Sequence, residues 1–306
     1  PYTKVRWMPD YEKFGLETMT SDIWSLLRKR AFDIAAVTDK SLKVKIQDND
    51  INIKSFEQYV DMYIGDKSVS SRIVQTSDRW ECIVGLSPLD EFSQISFVNG
   101  IYTGKGGKHV DYITNQICKK MIEYIKRKKK VTVKAVTIKE QLMVFVNCMI
   151  ENPAFDSQTK DYMNTPYNKF GSKFEVTDKT IDKLAKMGVM DAAISLNEVK
   201  LMKKAKTTDG RKSRNIRGIP KLVDANKAGT PSSMQCTLIL TEGDSAKAGV
   251  MSGLSKEDRN WFGIFPLKGK LLNTLDAPIG KINNNTEITN IKKIMGLQTG
   301  KTYKDK

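Results

Sequence analysis

The chain has 306 residues, with 51 Lys and Arg against 35 Asp and Glu (formal charge +16), 40% hydrophobic and 28% charged residues. That much apolar material builds real cores and excludes a wholly disordered chain, and the length is that of two ordinary domains. No run approaches the ~18 uninterrupted apolar residues of a membrane span; a single histidine, His109, excludes a His-rich metal site, and four scattered cysteines without a CxxC fit a reducing compartment better than a disulfide framework or a zinc site.

The start, Pro1-Tyr-Thr-Lys4, has no initiator Met and no signal-peptide pattern. Thr20-Ser-Asp22 reads as a helix start, with Ile23, Leu26, Leu27, Ala31 and Ile34 following at helical spacing. Leu42–Gln47 alternates like a half-buried strand, as does Ile51–Ile53, and Asp48-Asn-Asp50 between them reads as a hairpin turn. Trp80–Gly85 and Gln94–Val98 are further strands. Gly104-Lys-Gly-Gly-Lys-His109 is a flexible loop leading into a long helix, whose apolar stripe is Val110, Ile113, Ile117, Met121 and Ile125 and whose end is Lys126-Arg-Lys-Lys-Lys130. Gln141–Asn147 is a buried strand. Residues 1–150 therefore mix strands and helices in an α+β or α/β pattern. From Asp178 to Lys206 the pattern turns helical. Thr207–Pro231, polar, basic and rich in Gly, Ser and Asn, reads as a linker. Cys236–Thr241 is a continuous apolar strand, Glu242-Gly-Asp-Ser245 leads into a small-residue helix, and Phe262–Phe265 is a second buried strand. Ile288, Ile291, Ile294, Met295 and Leu297 mark a last helix. Strand, loop, helix, strand is a parallel α/β unit. At about 70 residues with two strands it is thin for an independent core, so the expectation is that the chain stops mid-domain.

The charge is clustered. Lys105–Glu140 holds eleven basic residues against Asp111, Glu123 and Glu140, and Leu201–Leu222 holds eight against Asp209 alone. Two such clusters suit a polyanion, because each neutralised phosphate releases counterions. The competing reading is a solvated helix face and a flexible basic linker.

Three motifs carry chemistry. In Thr241-Glu-Gly-Asp-Ser245 a carboxylate stands just beyond a parallel strand, where such sheets bind ligands, and Gly243 permits a sharp turn. A helix-capping acidic loop is the alternative. A metal site for phosphoryl transfer needs more carboxylates. The chain's only Asp-x-Asp, Asp48-Asn-Asp50, reads as turn chemistry, so the metal site is half present at most. Pro266-Leu-Lys-Gly-Lys270 offers backbone and ammonium groups to a phosphate, or is an exposed turn. Phe155-Asp-Ser-Gln-Thr-Lys160 places a lysine on a polar loop from which it could reach a nucleotide's terminal phosphate. Gly104–Lys108 lacks the GxxxxGK[ST] spacing of a Walker loop. His109, with no partner His or Cys nearby, reads as a polar residue at a helix N-terminus rather than a catalyst.

Taken in order, Ile95–Asn99, Lys105-Gly-Gly-Lys-His-Val-Asp-Tyr112, Ile150-Glu-Asn-Pro153, Phe155–Lys160, Gly218-Ile-Pro-Lys-Leu222, Leu240–Lys247 and Phe265–Asn273 closely resemble eukaryotic-type (type IIA) DNA topoisomerase II, a type that large DNA viruses also carry. The resemblance implies an α+β transducer of the ATPase region over residues 1–170, with a mixed sheet, a long helix and the family's left-handed βαβ crossover. It implies a helical and basic linker over 171–231, and over 232–306 an incomplete α/β TOPRIM unit with parallel strands. It implies an enzyme that uses ATP and Mg²⁺ to pass one DNA duplex through a transient double-strand break in another, working as a homodimer inside the cell, in the nucleus or, for a virus, in host cytoplasm or virion. By the same resemblance Gln158, Thr159 and Lys160 meet ATP. Lys126, Arg127 and Lys128 meet DNA, as do Lys268, Gly269, Lys270 and Asn273. Glu242 is the first Mg²⁺ carboxylate of the cleavage site. Position 268 is usually Arg in the family; Lys keeps the charge and loses the bidentate fork. Gly249-Val-Met251 departs from the commoner Leu-Ala-Val. The nucleotide-binding fold would precede Pro1. The Asp-x-Asp pair, the nucleophilic tyrosine and its arginine neighbour would follow Lys306, since none of the ten tyrosines here has the nucleophile's context. This chain alone is then not expected to be active. The alternatives are a non-enzymatic DNA-binding module, which leaves Glu242 without work, and another TOPRIM enzyme such as a primase, which Gln158-Thr-Lys160 speaks against.

Overall fold

The computed structural model describes residues 2–210, 216, 218–275 and 277–303. The chain divides into two compact units, Pro1–Ser195 and Leu196–Lys306.

The first unit opens with α1 (Ser21–Val37), whose Thr20 hydroxyl accepts the Ile23 N–H at 3.3 Å. That is an N-cap satisfying one orphan donor of the first turn. β1 (Lys45–Ile46) and β2 (Asn49–Asp50) form a minimal hairpin. Its turn lies one residue earlier than the sequence suggests. Gln47 and Asp48 both take positive φ (47° and 64°), the requirement of a tight two-residue turn, and Asn49 already pairs with Ile46. α2 (Phe56–Ile64) follows, then β3 (Arg72–Ser77), β4 (Trp80–Leu86), β5 (Ser93–Val98) and β6 (Ile101–Tyr102). The long α3 (Lys108–Lys129) and short α4 (Ala135–Lys139) lead to β7 (Leu142–Cys148).

These strands form one mixed sheet in the order β3-β4-β7-β5-β6, with β5 and β7 parallel and every other pair antiparallel. β4 and β7 are central and apolar on both faces, as strands covered on two sides must be. Their side chains alternate. Cys82, Val84, Leu142, Val144 and Val146 face a core with α3, whose stripe Val110, Ile113, Ile117, Met121 and Ile125 is no more than 3% exposed. Ile83, Met143 and Phe145 face the opposite core, with Ala35 and Ala36 of α1 and Phe56, Tyr59 and Val60 of α2. The unit is thus three layers, with α3 returning the chain from β5 to its parallel neighbour β7. In α1 the buried residues are Asp33, Ala35 and Ala36, while Leu26 and Ile34 of the expected apolar stripe are about half exposed (53% and 51%). The buried Asp33 is held by Lys29 at 2.8 Å and by the Tyr59 hydroxyl at 2.5 Å.

The stretch expected as linker, 171–231, is divided between the units and packs in both. Phe174, Val176, Ile181 and Leu184 join the α3 core. Gln75 of β3 donates to Glu175 O (2.7 Å) and accepts from Thr177 N (3.2 Å) and the Thr180 hydroxyl (2.6 Å). The helical run is interrupted: α5 (Asp178–Leu184) passes through a π turn (Ala185–Val189), with Gly188 at φ 115°, into α6 (Met190–Thr207).

In the second unit β8 (Thr237–Glu242), α7 (Gly243–Gly253), α8 (Asp258–Trp261) and β9 (Phe262–Leu267) form a parallel pair with its crossover. α9 (Ile279–Asn284) and α10 (Thr286–Met295) follow. Val223 exchanges hydrogen bonds with Ile264 of β9 (2.9 and 2.7 Å), so the residues before β8 also pack here. β9 is buried. β8, which reads as a continuous apolar strand, is only partly covered, with Leu240 40% exposed, because among the described residues its sheet has two strands. Among the described residues no helix is long and apolar enough to cross a membrane.

Candidate functional site

The start of α3 is built by backbone. Gly106 (φ 75°) and Gly107 (φ 145°) take conformations that L side chains rarely adopt, and a Cβ on Gly107 would lie 2.5 Å from Met163 O. Only glycine lets the two chains approach this closely. Four N–H bonds then fasten the loop Phe155–Met163 to this turn and to itself. Lys105 N donates to Asp161 O (2.9 Å), Met163 N to Gly106 O (3.1 Å), Lys108 N to Met163 O (2.9 Å) and Asp156 N to Tyr162 O (3.1 Å). Lys105 Nζ adds a longer ion pair to Asp161 (3.8 Å). On that base stands the tip Gln158-Thr-Lys160. Lys160 N closes the turn on Ser157 O (3.1 Å), and Lys160 is itself left-handed (φ 60°), a conformation uncommon for a non-glycine residue. The Thr159 hydroxyl is engaged inside the loop, donating to Asp161 Oδ2 at 2.9 Å. Gln158 is exposed, and the Lys160 ammonium rests 5.8 Å from the Phe155 ring centre. Of the three expected nucleotide-facing residues, Gln158 and Lys160 keep their donors available, and both are groups that suit a phosphate oxygen.

His109, the second residue of α3, is fully buried. One ring nitrogen lies 3.3 Å from the Thr103 hydroxyl, and Nδ1 has no partner among the described residues. Burial pushes its pKa from 6.5 down to about 3. It is a neutral core residue; the sequence places it correctly at a helix N-terminus and without a metal or catalytic partner, but does not show that it is buried. In the unfolded chain it would bind a proton below about pH 6.5, while the folded form refuses one. Stability is therefore complete above 6.5 and falls as pH drops, by up to ~1.4 kcal/mol per pH unit. It is the only histidine, but burial also raises the acids Glu81 and Asp224 toward this range, so the difference between wild type and a His109 variant from pH 6.5 to 5 is what isolates it. In urea melts of wild type and His109→Asn, the difference in ΔG between the two should change with this slope; parallel pH dependence of the two would contradict a buried neutral imidazole.

At the other end of α3, Lys126, Arg127 and Lys128 are exposed in the last turn, and none forms an ion pair with a described residue. Arg127 lies 5.7 Å from the Tyr124 ring centre. Cations here also complement the helix dipole.

In the second unit Glu242 ends β8, paired in register with Leu267, and occupies the N-cap position of α7 with no side-chain cap bond. It is exposed, and its carboxylate has no hydrogen-bond or ion-pair partner among the described residues. Gly243 (φ 85°) makes the turn into the helix. Asp244 differs: it is ion-paired with Lys221. Lys221, Glu242, Gly243, Asp244, Pro266, Leu267, Lys268 and Gly269 line one open hollow of about 300 Å³. The fold thus brings Glu242, Lys268 and Gly269 together. Lys270 and Asn273 do not line the hollow; both are exposed, and Asn273 Oδ1 accepts the Leu275 N–H at 3.1 Å. Asp48 and Asp50 belong to the β1–β2 hairpin, where Asp50 pairs with Lys45 at 3.1 Å. Among the described residues no group of three or more His, Cys, Asp or Glu converges as a metal site. One free carboxylate fits one corner of a magnesium shell, since Mg²⁺ takes one or two carboxylates with phosphate oxygens and waters. Lys221 has no role in the sequence reading, although Gly218-Ile-Pro-Lys-Leu222 marks the segment. Arg211, Lys212, Arg214 and Arg217 of the second basic cluster lie outside the described residues.

The first unit thus carries a loop fastened to the N-terminal turn of a core helix with cations at that helix's far end, and the second an acid at the end of a parallel strand. Residues 55–214 match the family model of DNA gyrase B, and the chain belongs to that family. It is 46% identical to DNA topoisomerase 2 of Pisum sativum over 309 aligned positions, covering 99% of this chain and 21% of that protein. It therefore spans about a fifth of the length of the curated relatives it matches. The crystal structure of the ATPase region of Saccharomyces cerevisiae topoisomerase II is similar over 62% of this chain and 48% of its own, at 36% identity and a TM-score of 0.56. The ATPase and transducer domains of Balamuthia mandrillaris DNA topoisomerase II match over 58% of this chain and 45% of theirs, at 33% identity and a TM-score of 0.54.

Proposed function

We propose that this chain is the ATP-responsive, DNA-facing middle of a type II DNA topoisomerase, which passes one duplex through a transient double-strand break in another. In this reading residues 1–170 are the transducer, 171–231 join it onward, and 232–306 begin the TOPRIM domain. The return from β5 to β7 is then the family's left-handed crossover. The enzyme works as a homodimer on intracellular double-stranded DNA with ATP and Mg²⁺. Gln158 and Lys160 meet the terminal phosphate of ATP, with Thr159 shaping their loop. Lys126, Arg127 and Lys128 meet DNA phosphates, Lys268, Gly269, Lys270 and Asn273 meet the cleaved segment, and Glu242 holds Mg²⁺.

The observation that carries the reading is α3. Its first residues bear the hydrogen-bonded base of the Gln158–Lys160 loop, and its last turn bears exposed cations with no ion pair among the described residues. Its 22 residues span about 33 Å. In this reading α3 moves as one body, carrying a displacement at the loop to the cations. Replacing Lys126, Arg127 and Lys128 by Ala should lower the slope of log affinity against log salt for duplex DNA by up to roughly 2–3 units. It should also remove DNA stimulation of ATP hydrolysis while leaving basal hydrolysis intact. An unchanged salt slope would reduce the run to a solvated helix end.

A further inference from the structure

The two acids beyond β8 are not equivalent, and Lys221 is what separates them. We propose that Lys221 is a positioning residue that takes Asp244 out of contention as a cation ligand and leaves Glu242 as the open carboxylate. This rests on the reading of Glu242 as a metal carboxylate.

Lys221 is in the left-handed region (φ 71°), where a branched or long side chain gains nothing locally. A residue held there by its surroundings points to a constraint worth explaining. The surroundings are specific. Two residues on, Val223 is fixed to β9 by its paired hydrogen bonds with Ile264. From that fixed edge Lys221 reaches α7 twice. Its ammonium pairs with Asp244 in the first turn, and its own carbonyl accepts the Lys247 ammonium at 2.7 Å, one turn further along. With its backbone left-handed, one residue thus serves the same helix with both side chain and carbonyl. α7 begins immediately after Glu242, so the clamp also fixes the turn from which Glu242 projects.

The electrostatic consequence is local. Asp244 has its charge answered by Lys221, whereas Glu242, on the same hollow, has no partner among the described residues. A hard, oxygen-seeking cation entering the hollow meets one carboxylate ready to bind. Breaking the clamp would release a second carboxylate two residues away. Both partners of the pair are half exposed (47% and 59%), so the gain in cation affinity is modest, roughly three- to tenfold. The change in the number of carboxylate ligands is the sharper consequence.

Terbium luminescence reads both, using Tb³⁺ as a hard-cation probe on the whole protein and lifetimes in H₂O and D₂O to count bound waters. Glu242→Gln should weaken Tb³⁺ at least tenfold and add a bound water; if it does not, the metal reading of Glu242 falls, and this inference with it. With that arm positive, Lys221→Met should tighten Tb³⁺ roughly three- to tenfold and remove at least one bound water. Lys221→Met with Asp244→Asn should restore the wild-type water count, and Lys221→Arg should behave as wild type. A tighter site with an unchanged water count would mean that Lys221 contributes charge alone and would overturn the proposal. So would a Lys221→Met variant indistinguishable from wild type.

Discussion

Lys160→Ala, placed in the complete enzyme, is expected to slow DNA-stimulated ATP turnover and supercoil relaxation by about 10- to 150-fold, while drug-trapped DNA cleavage survives. The figure follows from one charged hydrogen bond to phosphate, worth about 1.5–3 kcal/mol, at tenfold per 1.4 kcal/mol. The effect is confined to coupling because the loop that carries Lys160 is fastened by backbone bonds between residues 105–108 and 161–163, which the substitution leaves in place. Alanine tolerates the left-handed φ of 60° no worse than lysine does, so the fold is unaffected. Among the described residues the ammonium's side-chain contact is the long one to the Phe155 ring, so little is lost when it moves to a phosphate. Lys160→Arg should retain most of the coupling, since the charge and reach are kept. Wild-type ATPase and relaxation rates in Lys160→Ala would remove this residue from the nucleotide site.

Local pattern carried some of the fold and tertiary pairing the rest. The α3 stripe is legible because all five of its residues are buried and four of them, Ile113, Ile117, Met121 and Ile125, join one continuous core. β4 and β7 are legible because strands buried on two faces must be apolar throughout. α2 also carries a full helical period, Phe56, Tyr59, Val60, Tyr63 and Ile64, behind the cap Ser55; its brevity between polar stretches hides it. β3 is different. Arg-Ile-Val-Gln-Thr-Ser has a weak alternation, and it is a strand because β4 offers it a ladder over six residues. The exposed side of β8 could not be read from Leu238, Ile239 and Leu240, whose composition fits a covered strand equally well. At the candidate sites the motifs and the family resemblance single out Lys160 and Glu242 as candidates. The sequence is silent on what holds them, because Gly107 against Met163 and Lys221 against Asp244 are separated by tens of residues and meet only through the fold.

Glu242→Gln in the complete enzyme should lower DNA cleavage by at least about 10- to 100-fold at ordinary Mg²⁺ and shift the Mg²⁺ needed upward. Substitutions that merely disturb the support of a metal ligand cost this much, and here the proposed ligand itself is replaced. Glutamine preserves volume and hydrogen-bonding shape, so the loss isolates the negative charge. The change is local for a structural reason. Glu242 is exposed at the end of β8 and makes neither a cap bond nor an ion pair with a described residue, so nothing in the fold depends on its carboxylate. DNA-independent ATP hydrolysis should therefore stay at the wild-type rate. Asp244→Asn should behave differently. It removes a charge already answered by Lys221, costs a favourable acid in the first turn of α7, and frees an ammonium beside Glu242, so cleavage should fall several-fold rather than a hundredfold. The measurement is cleavage against Mg²⁺ for both variants, with basal ATPase in parallel. Normal cleavage by Glu242→Gln at low Mg²⁺, together with a severe defect in Asp244→Asn, would reverse the roles assigned to the two acids and would require Lys221 to release its partner when metal binds.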